Sequence, residues 1–282
     1  MDKSTTIKQL ITSAKIQLES VSDSAKLDAE LLLCFVLNES RVYLITWPDK
    51  PLSKSIVSQY NTLVNRRAQG EPIAYITGTK EFWSLPFYVA PSTLIPRPDT
   101  ETLIELVLEE YGEREKVNCL DLGTGTGAIA LALASEKPSW NIDAIDFSEE
   151  AVGLAKRNAE HLGLAHVNIY HSDWFKSVAL ERKFDIIVSN PPYIAENDEH
   201  ISQGDVRFEP LSALIADNDG LADIVHIAKI SLDYLTKDGV IFFEHGYNQG
   251  GLVRDLLKSF GFNYAKTVKD LNGQDRITWA KR

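Results

Sequence analysis

Apolar positions between residues 7 and 64 recur at helical spacing. Ile7, Leu10, Ile11 and Ala14 share one face. A Ser22-Asp23 start leads into a second stripe, Ala29, Leu32, Leu33 and Val36. Ser40 predicts the cap of a short third helix that Pro48 stops. Ile56, Val57, Tyr60, Leu63 and Val64 form a fourth stripe, closed by Gly70 in the position where glycine ends helices. Residues 1–80 therefore predict a helical bundle. Residues 71–98 change character, with Pro72, Pro86, Pro91, Pro96 and Pro98 among the aromatics Phe82, Trp83, Phe87 and Tyr88. Segments 82–85 and 87–90 read as a hairpin, and 81–98 as a hairpin and linker between two domains.

From Asp99 onward the period alternates. Asp99 predicts the N-cap of a helix carrying Leu103, Ile104, Val107 and Leu108, with Glu101 near its positive end. Apolar, strand-like runs follow at 117–122, 141–146, 167–170, 184–189 and 240–244, separated by helical segments near 127–136, 148–162, 219–236 and 248–260. Strands alternating with helices imply a parallel sheet with helices on both faces. The tail, 262–268 and 275–280, predicts two more strands joined by Asn272-Gly273, which close the sheet with an antiparallel hairpin. The expected fold is α/β: a doubly wound, mostly parallel, seven-stranded, Rossmann-like sheet over 99–282, behind a helical N-terminal domain. There is no internal repeat and no low-complexity segment.

Composition narrows the setting. With 282 residues, 44% hydrophobic and 24% charged, the chain suits one large domain or two ordinary ones. Cys34 and Cys119 lie in apolar segments without metal-like spacing and read as buried, reduced thiols. That argues for a reducing compartment. The opening MDKSTTIKQL lacks the apolar stretch of a signal peptide, and the longest apolar run is far short of a membrane span. A cytoplasmic protein without membrane contact is expected. The formal net charge of -11 disfavours nucleic acid as a partner.

The first chemical feature is "LDLGTGTGAIALALA". Gly123, Thr124, Gly125, Thr126 and Gly127 follow a predicted strand and open an Ala-rich helix. Glycines permit the tight turn and let a ligand touch the backbone beside the crevice of an open parallel sheet. The spacing also satisfies a dinucleotide fingerprint, but Asp121 precedes the loop and would repel a pyrophosphate while accepting a cationic group. S-adenosylmethionine carries an ammonium and a sulfonium and no phosphate, so it suits this loop. Asp146, at the end of the next strand, is placed to accept from ribose hydroxyls. Asp173 and Trp174 in "HSDWF" offer an acceptor for an adenine amino group and a ring to cover the base.

The second feature is "SNPPYI". Asn190 follows the fourth strand of the alternating region, and Pro191 restricts it to extended backbone. Pro191 and Pro192 stiffen the loop. The Asn190 side-chain carbonyl and the Pro191 backbone carbonyl form two fixed acceptors for one NH2 group, and Tyr193 can cover a planar face. An amide or aromatic amine is a weak nucleophile whose nitrogen becomes positive on methylation; acceptors aimed at its hydrogens stabilise that charge. No strong base is needed at attack. The residues alone thus imply methyl transfer to an amino group, without choosing between a glutamine amide and a nucleobase.

At this point the chain resembles a known family, the bacterial release-factor glutamine N5-methyltransferases (PrmC/HemK). The matching stretches are "GEPIAYITGTKEFWSLPFYV", "LIPRPDTE", "LDLGTGTGAIALALA", "SDWF", "SNPPYI", "QGDVRFEPLSAL" and "FFEHG", together with the helical N-terminal region. The resemblance implies a class I S-adenosylmethionine-dependent fold. It implies methylation of the glutamine in the Gly-Gly-Gln motif of class-1 peptide chain release factors, supporting translation termination. It also implies cofactor contacts at the 123–127 loop, Asp146, Trp174 and Asn190, substrate glutamine held by Asn190, Pro191, Pro192 and Tyr193, and an N-terminal bundle that helps dock the release factor. The alternative is a nucleic-acid amino-group methyltransferase of the adenine N6 type, with Tyr193 stacking on a flipped base. An NAD-linked oxidoreductase would explain the glycine loop and leave "SNPPYI" idle. Arg97, Asp99 and Thr100 are equally pocket or cap residues, Arg207, Phe208 and Glu209 equally guide or surface loop, and His245 reads as structural.

Overall fold

The computed structural model describes residues 5–282, the side chain of His200 aside. The chain divides into two compact units: residues through Thr79 together with Ser202–Phe208, and Lys80–Ile201 together with Glu209–Arg282.

The first unit is a bundle of α1 (Ile7–Leu18), α2 (Ala25–Leu37), α3 (Arg41–Thr46), α4 (Lys54–Ala68) and α5 (Ile73–Thr77). Thr6 caps α1 in a reciprocal box with Gln9, and Ser40 and Ser53 cap α3 and α4. The second helix starts two residues later than the Ser22-Asp23 signal, behind Ser24, whose side chain turns instead to Asp28. Ile7, Leu10, Leu32, Leu33, Tyr60 and Val64 form the core, and the Tyr60 hydroxyl donates to the Ala29 carbonyl at 3.0 Å. Gly70 has φ +93, and a Cβ there would fall 1.7 Å from Arg207 Nη2. Both the left-handed backbone and this close approach require glycine.

A tight hairpin follows, β1 (Thr79–Phe82) and β2 (Leu85–Tyr88). It turns at Trp83-Ser84, both left-handed (φ 52 and 57), so the first strand starts earlier than expected, at Thr79, and the second at Leu85, with Pro86 inside it. The Trp83 backbone N–H donates to Glu101 and its indole N–H to Glu136, each at 2.8 Å, which offsets the cost of that turn.

The second unit carries α6 (Glu101–Tyr111), β3 (Asn118–Leu122), α7 (Ala128–Glu136), β4 (Asn141–Asp146), α8 (Glu149–His161), β5 (Asn168–His171), β6 (Phe184–Ser189), the kinked turn α9 (Asp217–Gly220), α10 (Ala222–Ser231), β7 (Leu235–Glu244), α11 (Gly250–Phe260), β8 (Tyr264–Lys269) and β9 (Asp275–Lys281). The sheet order is β5-β4-β3-β6-β7-β9-β8, parallel except at β9, which runs antiparallel to both its neighbours. Two expectations shift. Pro98 opens a 3-10 turn (Pro98–Thr100) ahead of α6, so Asp99 lies inside the first turn and caps nothing. Strand β7 begins at Leu235, inside the segment read as helix, because Leu235 pairs with Phe184.

Alternate strand residues feed two cores. Cys119, Ile186, Val188, Val240 and Phe242 pack under α6, α7 and α8. Leu120, Leu122, Ile187, Ile241 and Phe243 pack under α10 and α11. Every residue from Ala128 to Ala134 is buried, so α7 is a small-residue helix set close to the sheet. Cys119 is buried and Cys34 half-buried, both as free thiols. Among the described residues no helix is long and apolar enough to cross a membrane.

Within the first unit Arg67 is nearly buried. Its Nε donates to Asp28 at 2.7 Å and its Nη1 to Asp205 at 2.9 Å and to the carbonyls of Gly70 and Glu71, each at 3.2 Å. This one guanidinium ties α2, α4 and the 202–208 segment together, which a reading of contiguous segments would not join. Arg67→Met should destabilise the protein by about 3–5 kcal/mol, because Asp28 would be left buried without its partner. Urea denaturation of the full chain checks this.

Candidate active site

The register of the parallel strands builds the site. Leu122 of β3 lies opposite Ile145 of β4 and Ser189 of β6, and Ser189 lies opposite Phe243 of β7. The residues one step further along the chain, Gly123, Asp146, Asn190 and Glu244, therefore stand side by side at the carboxyl ends of their strands. The chain runs outward from β3 through β4 to β5, then returns to the other side of β3 with β6. Gly123 and Asn190 thus flank the switch point where open α/β sheets bind ligands. The Ser189 hydroxyl donates to the Leu122 carbonyl at 2.8 Å and locks the two strand ends together.

A cavity of about 400 Å³ opens there. Gly123, Thr124, Gly125, Thr126, Asp146, Asp173, Trp174, Asn190, Pro191 and Pro192 line it. Of the sequence-predicted residues, Gly127 and Tyr193 stand outside the wall. Gly127 has φ +85 and packs against the sheet side of α7, where a Cβ would come within 2.9 Å of Leu131. Tyr193 instead sends its hydroxyl to Glu244 at 3.5 Å, and burial raises its pKa. The Gly125 N–H donates to Asp146 Oδ2 at 2.8 Å and the Ser148 N–H to Oδ1 at 2.9 Å. The Asp173 carboxylate lines the wall while held by Lys176 at 2.6 Å. The Trp174 ring lies over Gly123, where a Cβ would sit 3.7 Å from it. The Asn190 NH2 donates to Thr100 Oγ1 at 3.4 Å.

Asp121 sits below this wall, fully buried. Its Oδ2 accepts from the Thr124 hydroxyl at 2.6 Å and from the Ala130 N–H at 3.2 Å. Its other oxygen has no hydrogen-bond partner among the described residues. It therefore shapes the glycine loop and the start of α7 from beneath and does not meet a ligand in the cavity. Burial, only partly offset by the two hydrogen bonds, pushes its pKa to about 7.

Arg97 and Thr100, weighed in the sequence as pocket or cap residues, both line the wall. Phe147, exposed beside Asp146, residues 92–94 and Asp223 line it without a sequence signal of their own. Buried Glu209 accepts from the Ile95 N–H at 3.0 Å and from the Arg97 guanidinium, and so fixes the 92–97 loop. Asn158 of α8 is fully buried. It accepts from the Tyr88 N–H at 2.7 Å and donates to the Tyr88 and Thr126 carbonyls, holding the glycine loop against the hairpin. His245 is turned away, between the Gly246 carbonyl and Thr278, which is a structural setting. No metal-binding group of acids, His or Cys occurs among the described residues.

The lining tests which group can bind. Asp146, Asp223 and Asp173 face the cavity, Asp173 being paired with Lys176, and Arg97 there is paired with Glu209. Such a wall repels phosphates and accepts an ammonium and hydroxyls, so it fits S-adenosylmethionine better than a dinucleotide.

A sheet of this order, with a glycine loop at the switch point and an Asn-Pro-Pro corner beside it, defines a methyltransferase. Residues 98–208 match the methyltransferase small domain family, and residues 9–78 match the PrmC N-terminal domain. The chain is 52% identical over 275 residues to the release factor glutamine methyltransferase of Shewanella oneidensis, covering 98% of this chain and 96% of that one. It is 51% identical over 276 residues to that of Vibrio cholerae, with 98% and 96% covered. A methyltransferase from Pyrococcus furiosus shares the fold, with a TM-score of 0.54 at 21% identity over 77% of this chain and 97% of that one. The chain belongs to the release factor glutamine methyltransferase family.

The raised pKa of Asp121 has a stability consequence. Its folded value of about 7 lies above the ordinary 3.8, so the folded state holds the proton more tightly. The stability this contributes is full below about pH 4 and is lost as pH rises through about 7. Asp121→Asn, which cannot ionise, should raise the melting temperature relative to wild type more at pH 8 than at pH 5. Thermal unfolding of both proteins at the two pH values reads this directly.

Proposed function

We propose that the enzyme methylates the side-chain amide nitrogen (N5) of the glutamine in the Gly-Gly-Gln motif of class-1 peptide chain release factors, and so supports translation termination. The observation that carries this is the placement of Asn190 and Pro191 beside the glycine loop, in one row of the sheet. The full-length similarity to curated release factor glutamine methyltransferases supplies the substrate class. S-adenosylmethionine, when bound, provides an electrophilic methyl group.

The chain's own residues do the rest. The glycine loop and Asp146 would hold the ribose end of the cofactor, and Asp173 and Trp174 would receive its base. Asn190 Oδ1 and the Pro191 carbonyl accept the two hydrogens of the substrate NH2, orient its lone pair and stabilise the positive charge that grows on nitrogen. Pro191 and Pro192 keep these acceptors fixed before substrate arrives, so little reorganisation is needed. Tyr193, anchored by its hydroxyl, holds the shape of the corner. The N-terminal unit serves as the docking body for the release factor, and α3 offers it the exposed apolar side chains Val42 and Ile45, with Trp47 just beyond. In this reading the protein works in the cytoplasm, where termination occurs.

The test offers labelled S-adenosylmethionine to the purified protein with release factor, bulk RNA and DNA in parallel. Label is expected in the release factor glutamine; label in nucleic acid alone would overturn the reading. Asn190→Ala should lower turnover by ~10²–10³, the typical loss of one transition-state hydrogen-bond partner, with cofactor affinity largely kept. Asp146→Ala should do the reverse, weakening cofactor binding in a calorimetric titration.

A further inference from the structure

The prolines fix φ at 191 and 192 and confine ψ at 190 and 191 to an extended range about 40° wide. Within that range the direction of the Pro191 carbonyl depends on how the chain is held at the two ends of the corner. At the near end Ser189 is paired in the sheet, and its hydroxyl donates to the Leu122 carbonyl. At the far end the hold comes from Gln249.

Gln249 follows β7 in "EHGYNQG" and is buried. Its Oε1 accepts from the Gly246 N–H at 2.8 Å, which decides the orientation of the amide. The NH2 then donates to two carbonyls, Tyr193 at 3.1 Å and Asp219 at 3.2 Å. Both hydrogens and the oxygen of this side chain are thus in use, and they join three separate stretches of chain. All three bonds lie away from the glycine loop and Asp146.

The turn that carries Asp219 is shaped to meet this amide. Asn218, Asp219 and Gly220 are all left-handed, with φ 55, 53 and 81. A run of three such residues persists only where its surroundings hold it. A Cβ on Gly220 would stand 2.1 Å from the Tyr193 carbonyl oxygen and 2.9 Å from Gln249 Nε2, so the turn closes flush against the exit of the corner. Just before the turn, the Ile194 N–H donates to the Leu214 carbonyl at 2.9 Å, and the Ala216 N–H donates to the Ile194 carbonyl at 3.0 Å. The same stretch brings Ser212, Ala213 and Asp223 to the cavity wall. One buried amide therefore ties the substrate corner to a second part of that wall.

We propose that Gln249 is a positioning residue: through the Tyr193 carbonyl it fixes the exit of the Asn-Pro-Pro corner, and with it the aim of the Pro191 carbonyl at the substrate NH2. This rests on the reading of Asn190 and Pro191 as paired acceptors in methyl transfer. Gly220 belongs to the same device, because only a residue without a Cβ lets the turn close against the carbonyl.

The experiment compares wild type with Gln249→Met, of similar length but without the amide, and with Gly220→Ala. Gly163→Ala is the control: Gly163 has φ +72 and open space where a Cβ would stand, so alanine there meets the left-handed backbone without the contact. Turnover is taken per cofactor-binding site, counted by calorimetric titration with S-adenosylmethionine. Gln249→Met and Gly220→Ala should each lose kcat on the order of 10²-fold, the scale of a reacting group displaced by about 1 Å. The cofactor dissociation constant and the KM for release factor should be unchanged. Independently of activity, Pro192-Tyr193 is the only Pro-Tyr pair in the sequence. Isotopic labelling of proline carbonyls and tyrosine nitrogens therefore leaves one carbonyl–amide cross-peak in the NMR spectrum. It should shift in Gln249→Met and Gly220→Ala and stay in place in Gly163→Ala. Wild-type turnover per site in either test variant, or a cross-peak that stays in place in both, would overturn the proposal. Loss of cofactor binding in both would also overturn it, making Gln249 a support of the whole domain. An equal loss of turnover in Gly163→Ala would do the same, reducing the effect to backbone strain. If wild type leaves the release factor unlabelled while the cross-peak still follows Gln249, the substrate reading fails and the hold on the corner stands.

Discussion

The site depends on strand register. Leu122 opposite Ile145 and Ser189, and Ser189 opposite Phe243, bring four loops out of the sheet at one level. Side chains alternate faces along a strand, so a slip of one residue in β6 would exchange the faces of Ile186, Ile187 and Val188 between the two cores. It would also move Asn190 away from Gly123. The two apolar cores thus enforce the geometry of the polar residues above them, and the Ser189 to Leu122 hydrogen bond pins the pair that matters most.

Two buried acids support this row, Asp121 from below it and Glu244 from within it, and both have raised pKa values for the same reason. Asp121 and Glu244 are removed from water without a full set of partners. Each trades local stability for shape: Asp121 ties Thr124 to the start of α7, and Glu244 accepts from the Tyr193 hydroxyl. A ligand wall built on such supports is rigid before binding, which is where an enzyme that acts by placement gains most. Asn158 and Glu209 extend the same principle sideways, fixing the glycine loop and the 95–97 segment from fully desolvated positions.

Much of this was legible in the chain. The strand runs and the helices between them appear near their expected places because both cores are built from plain periodicity. The 123–126 loop, Asp146, Trp174 and Asn190 could be read as wall residues because each lies at or shortly after a strand end. The turn at Trp83-Ser84 was not, since left-handed Trp and Ser are held by Glu101 and Glu136 from elsewhere in the fold. Nor was the role of Asp99, displaced from the cap by the proline before it. Glu209 looked like a polar loop residue, and only its burial against Ile95 and Arg97 shows what it does.

The sequence by itself determined the alternation of elements, the two faces of each strand, the cofactor loop and the stiff acceptor corner, because these follow from local geometry and periodicity. Tertiary structure alone decided which side chains face the cavity and which support it. Asp121, read as meeting a cationic group, lies beneath the wall; Tyr193, read as a planar cover, and Glu244, read as a strand end on the crevice side, prove to be joined by a hydrogen bond. The reason is that burial and hydrogen-bond polarity are properties of neighbours brought together by register, and no local stretch of chain carries that information.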